Sequence, residues 1–140
     1  MKQILFLMLT ITTSLQVWGQ NEKELPKEYL ELIAKAEALY ENKEFKKSAE
    51  TFSAAFKSRG WKGVVIDRYN AACSWALAGV PDSAFADLNR IAFRAQFSNV
   101  KRLAEDPDLT SLRKDKRWKP LADRVQENKN KKELKKASTH

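Results

Sequence analysis

Cys73 is the only thiol of the 140-residue chain and His140 its only imidazole. A cysteine or serine nucleophile needs a base held within hydrogen-bond reach. His140 stands beyond a lysine-rich stretch with little to dock it, so it is not expected to be held against Cys73 or a serine. Cys73 lies among Ala71, Ala72 and Ala76 with no neighbouring activator. It reads as a small buried hydrophobe, a free reactive thiol being the alternative. Asp106 and Asp108 bracket Pro107 and could suggest a calcium loop. The remaining ligands are missing, however, and Arg117 stands where the closing glutamate belongs. Both acids are better explained as helix-start residues: a capping carboxylate, then proline, then an acid near the positive end of the dipole. Glu28 and Glu31 lie among lysines on what reads as a solvated face. No nucleophile elbow, phosphate-binding glycine loop or paired-histidine zinc motif occurs, and four glycines are too scattered to cradle a cofactor. The chain is therefore expected to be non-catalytic, with no metal, no cofactor and no small-molecule substrate.

The remaining chemistry is charge. The formal net charge is +8, and its distribution is uneven. Residues 21–60 carry eight basic and eight acidic side chains, residues 99–126 eight against five, and residues 127–140 five against two. Arg102, Arg113, Lys114, Lys116, Arg117, Lys119 and Arg124 could form a basic surface near Trp118, the composition that binds nucleic acid. Five acids interleave with them, and Trp118 falls on an expected buried face. Nucleic acid is therefore not the expected partner, and a binder of anionic polymer or nucleic acid is kept as an alternative.

The elements that must position these residues follow from periodicity. At a spacing of 36 residues, Ala36, Leu39, Ser48, Phe52 and Ala55 reappear as Ala72, Trp75, Ala84, Leu88 and Ile91, small against small and apolar against apolar. Self-similarity at that period marks a stacked helical repeat, one helix-turn-helix per copy. The first helix is expected over 27–41 with Leu30, Ile33, Ala34, Leu39 and Tyr40 as its apolar positions. The second, over 45–59, buries Phe45, Ala49, Phe52, Ala55 and Phe56. Gly60 ends it with positive φ, and Trp61 is expected to fold back on the last turn. A third helix over 66–78 presents Tyr69, Ala72, Cys73, Ala76 and Leu77, its alanines set against Phe52 and Phe56. Gly79 stops it. A fourth over 82–95 buries Phe85, Leu88, Ile91 and Ala92. One or two turns at 99–104 and a short helix at 109–112 precede a last helix over about 116–129, where Pro120 leaves the start open between 116 and 120.

The domain reading follows. Residues 1–19 read as a signal peptide, with Lys2, a short apolar run and a small residue at Gly19. Residues 20–27 are a polar lead-in, residues 28–128 a helical repeat domain, and residues 129–140 a basic disordered tail. The expected location is periplasmic or secreted, without a membrane span.

The stretch Tyr69-Asn70-Ala71-Ala72-Cys73-Ser74-Trp75-Ala76-Leu77-Ala78-Gly79 resembles the "YNAACxWALxG" helix of bacterial tetratricopeptide-repeat proteins. Asp106-Pro107-Asp108-Leu109-Thr110-Ser111-Leu112, with Asp115 and Trp118, is similar to the "DPDLxxLxxDxRW" ending of the tetratricopeptide end-of-group segment. The resemblance covers about residues 28–127. It implies an all-α, right-handed tetratricopeptide-like stack of two helical hairpins and an irregular C-terminal capping unit. It also implies a protein-interaction scaffold whose concave groove takes a peptide or another protein. The matching groove positions are Ile33, Glu37, Tyr40, Tyr69, Asn70 and Cys73. A carboxylate clamp of the kind some relatives use is not expected, because Ile33 and Glu37 stand where a lysine and an asparagine are needed. The segment also occurs fused to secreted hydrolase-type domains, so an accessory role to such an enzyme is the other implied function.

Overall fold

A computed structural model describes residues 24–139, so the signal peptide expected over 1–19, part of the lead-in and His140 lie outside the described residues. Within them the chain is all-helical: α1 (Lys27–Glu41), α2 (Phe45–Ser58), α3 (Val65–Leu77), α4 (Pro81–Arg94), α5 (Val100–Glu105), a 3-10 turn η1 (Pro107–Leu112) and α6 (Trp118–Ala137). None of these helices is long and apolar enough to cross a membrane.

Short connections pair α1 with α2 and α3 with α4, and α3 is the shared element between the layers. Its alanines divide the work. Ala71 packs with Phe52, Ala55 and Phe56 on the α1–α2 side, whereas Ala72 packs with Ala84, Phe85 and Leu88 on the α4 side. The small residue expected opposite Phe52 and Phe56 is therefore Ala71 rather than Ala72. Ser48, set where its repeat partner carries Ala84, is fully buried; its hydroxyl donates to the Ala36 carbonyl at 2.8 Å and lies 3.0 Å from Ser74 Oγ. Two small hydroxyls thus let three helices approach closely with their polar atoms satisfied.

The buried stripe of α1 is Tyr29, Ile33 and Ala36, while Leu30 is 50% exposed and Ala34 is also exposed. The helix is thus turned by one residue from the expected face. The reason is distant: Tyr29 Oη donates to Asp67 Oδ2 at 2.5 Å and accepts the Val64 N–H at 3.0 Å. A tyrosine buries well when its hydroxyl has partners, and here they come from the start of α3. Burial and the Asp67 carboxylate push the Tyr29 hydroxyl up to about 12.

Helices α1, α2 and α3 end in the same device. A residue at positive φ (Lys43, Gly60, Gly79) donates its N–H three residues back. The next residue (Glu44, Trp61, Val80) donates five residues back, to Leu39, Phe56 and Trp75. Trp61 is itself at φ 65°, which turns its indole outward; it is 53% exposed and does not fold back on α2 as expected. Lys43 is the one side chain in the glycine position of these three turns. Lys43→Gly should raise stability by about 0.5–1 kcal/mol, the left-handed strain relieved less the added chain entropy. A urea midpoint that falls would show that the lysine is not strained there.

Pro120 is the third residue of α6, where an N–H has no intrahelical acceptor anyway. Asn128 anchors this helix, its amide donating to the Ala92 and Phe97 carbonyls at 2.7 and 3.0 Å. Where disorder was expected over 129–140, the described residues carry α6 on to Ala137. Lysine, glutamate, leucine and alanine are good helix formers, Lys129 and Glu133 pair at 3.9 Å, and Lys135 and Lys136 suit the last turn. Every residue from 129 to 139 is exposed among the described residues.

Candidate functional site

A groove of about 480 Å³ opens between α1, α3, α5 and the start of η1. Helical spacing builds its walls: Glu37, Tyr40 and Glu41 share one face of α1, and Asn70 and Cys73 one face of α3. Arg102 of α5, Asp106 and Asp108 close the far side, and Phe52 lies at the base.

Of the expected groove residues, Glu37, Tyr40, Asn70 and Cys73 are brought together. Glu37 is exposed, Tyr40 and Asn70 are half-buried, and Cys73 is 4% exposed. Two do not line the groove. Ile33 lies in the core against the α1–α2 aromatics, because the turn of α1 that buries Tyr29 buries Ile33 four residues on. Tyr69 is fully buried in the α3–α4 cluster, because α3 is covered on both sides; only its hydroxyl reaches toward the groove, to Asp106.

The charged residues missed as groove members are Glu41, Arg102, Asp106 and Asp108. Asp106 does cap η1, its Oδ1 accepting the Asp108 N–H at 3.0 Å. Its Oδ2 also accepts the Tyr69 hydroxyl at 2.9 Å, and the Cys73 thiol lies 3.8 Å away. Asp108 Oδ2 accepts the Tyr40 hydroxyl at 2.6 Å. The Asp-Pro-Asp start therefore does two jobs, and the second depends on residues some 35 to 70 positions earlier in the chain. Only the local half was visible as a motif.

These contacts define the electrostatics. The Asp108 hydrogen bond, then burial, drives the Tyr40 hydroxyl well above its ordinary value. Burial does the same to Tyr69 and to the Cys73 thiol, with the nearby carboxylates adding to the effect on both. Arg102 pulls the Cys73 thiol the other way, but burial and the two aspartates outweigh it. Donor atoms of Cys73, Asp106 and Asp108 lie within 4.8 Å of one another. Both carboxylates accept tyrosine hydroxyls, so hydrogen bonds within the protein organise this trio.

Of the side chains expected to make a basic surface, four arginines each meet a group of the fold, while Lys114, Lys116 and Lys119 are exposed. Arg102 lies over the Tyr69 ring at 4.2 Å, Arg113 donates to the Asp106 carbonyl at 2.6 Å, and Arg117 joins Asp115 and Asp82, each at 2.7 Å. Arg124 lies over the Phe93 ring at 4.5 Å. Trp118 is half-buried against the α3–α4 cluster. Comparison of the chain with family models, with curated proteins and with solved structures returns no match in any of the three.

Proposed function

We propose that this chain is a non-catalytic protein-interaction scaffold of the bacterial cell envelope or secreted space. In this reading it is a tetratricopeptide-like right-handed stack, with α1–α2 and α3–α4 as its two repeats and α5, η1 and α6 as the capping unit. The groove takes a peptide or protein segment of a partner. The observation that carries the reading is the groove itself, in which first-helix residues of both hairpins, Glu37 and Tyr40 with Asn70 and Cys73, line one concavity. Repeat stacks use such surfaces for recognition. The contacts of Arg113 with the Asp106 carbonyl and of Arg117 with Asp115 and Asp82 occupy part of the basic third and favour the groove as the binding element.

The test is capture from envelope extract by the tagged chain, with partners identified by mass spectrometry. Glu37 is exposed, and no hydrogen bond or ion pair among the described residues holds it. Glu37→Lys should therefore leave the circular dichroism melt unchanged while reducing capture at least about tenfold, the effect of reversing a charge at an interface. Equal capture by the variant would remove the groove from consideration.

A further inference from the structure

A chain of net charge +8 carries a groove of the opposite sign. Glu37 and Glu41 stand exposed one helical turn apart on one wall, and Asp106 and Asp108 face them from the other. Among the described residues, Arg102 is the only cation of the lining. Its guanidinium lies over the Tyr69 ring and 3.4 Å from Asn70 Oδ1 at an exposed position, one positive charge against four acids. Four acidic side chains against one guanidinium give the concavity a negative formal charge. The resistance of Tyr40, Tyr69 and Cys73 to deprotonation is in keeping with that field, since Asp106 is among the causes for all three and Asp108 for Tyr40 and Cys73. A carboxylate or phosphate would be repelled here. An ammonium or guanidinium on a long apolar stem would be attracted, its stem lying along Tyr40 and its head reaching the acids.

We propose that the groove's ligand is a lysine- or arginine-bearing segment of a partner polypeptide, whose cationic side chain sits between the Glu37–Glu41 wall and the Asp106–Asp108 wall. This rests on the groove reading above and names the chemistry of its occupant. The other basic occupant within reach of the same logic is the lysine-rich extension of α6 from a second copy, and the experiment separates the two.

The full chain is titrated into a short fluorescein-labelled peptide that alternates lysine and alanine, with a glutamine–alanine peptide as control, and anisotropy is read at low and high salt. The lysine peptide should bind at least tenfold more tightly than the control and lose that advantage as salt rises. Glu37→Gln with Glu41→Gln, both at exposed positions, should weaken lysine-peptide binding about tenfold, from two exposed charge pairs, with the melt unchanged. Equal binding of the two peptides, or binding unaffected by the double substitution, overturns the proposal. If Glu37→Lys abolishes partner capture while the lysine peptide is ignored, the groove reading stands and the cationic ligand falls. Sedimentation velocity on the unliganded chain completes the test. A concentration-dependent dimer that disappears in the Glu37→Gln, Glu41→Gln variant would assign the groove to a second copy's α6 and overturn a separate partner; a monomer in both supports one.

Discussion

Arg68→Ala is expected to cost about 3–5 kcal/mol, a large share of the roughly 5–15 kcal/mol that holds a domain of this size together. Arg68 is the cationic side chain most fully withdrawn from water in its ion pair: Nη1 donates to Asp87 Oδ1 at 2.6 Å, with the two side chains only 6% and 12% exposed. Nη2 donates to the Trp61 carbonyl at 2.6 Å, and the guanidinium lies over the Phe56 ring at 4.3 Å. One side chain of α3 thereby ties down the end of α2, the loop after it and α4. The attraction is not the main point. Burial raises the Asp87 carboxyl, and the pull of Arg68 in the other direction does not overcome it. The intact pair is therefore not a net stabiliser, while an orphaned Asp87 is a large cost. Arg68→Met combined with Asp87→Leu should accordingly recover most of what Arg68→Ala loses, because it removes the desolvated charges together. Urea denaturation of the three variants decides the matter. A loss under about 1 kcal/mol in Arg68→Ala would mean that Asp87 reaches water in solution.

The pair also shows where sequence reading runs out. The 36-residue period, the glycines at 60 and 79 and the proline starts are local signals, and they locate α1 to α4 within about a residue at each end. The long-range polar contacts are not local. Tyr29 looks like one more side chain on a charged helix until Asp67 and Val64 meet its hydroxyl, and that meeting turns α1 and takes Ile33 out of the groove. Tyr69 has the composition of an interface residue, but its place on the shared helix buries it. Asp106 and Asp108 carry an obvious capping motif, and that motif hides their second use, which exists only once α1 and α3 are packed against η1. The extension of α6 escaped for a different reason: a solvated Lys–Glu helix has no apolar stripe, the signal by which a packed helix is recognised.

Asp106→Ala should cost about 2–3 kcal/mol, the second large effect, because one carboxylate serves both the fold and the groove. Loss of the N-cap to the Asp108 N–H accounts for about 1 kcal/mol. The rest comes from Tyr69, whose buried hydroxyl loses its 2.9 Å acceptor and keeps only the Arg102 carbonyl at 3.3 Å. Asp106→Asn should cost under about 1 kcal/mol, since the amide oxygen can still cap η1 while its NH₂ donates to the Tyr69 oxygen. A double-mutant cycle of Asp106→Ala with Tyr69→Phe isolates the shared part. Removing both partners together should cost clearly less than the two single losses added, by the amount of the orphaned hydroxyl. Asp106→Asn also discriminates function from fold. It removes one of the four groove carboxylates without emptying its place, so a cationic peptide should bind less tightly to a protein of nearly unchanged stability. Cys73 supplies an internal check. Burial is the leading cause of its raised pKa and the Asp106 charge the next, so the thiol in Asp106→Asn should ionise at a lower pH than in the parent yet stay slow toward thiol reagents near neutrality. If Asp106→Ala melts with the parent chain and the cycle is additive, η1 is not anchored through Tyr69. The far wall of the groove would then need another origin.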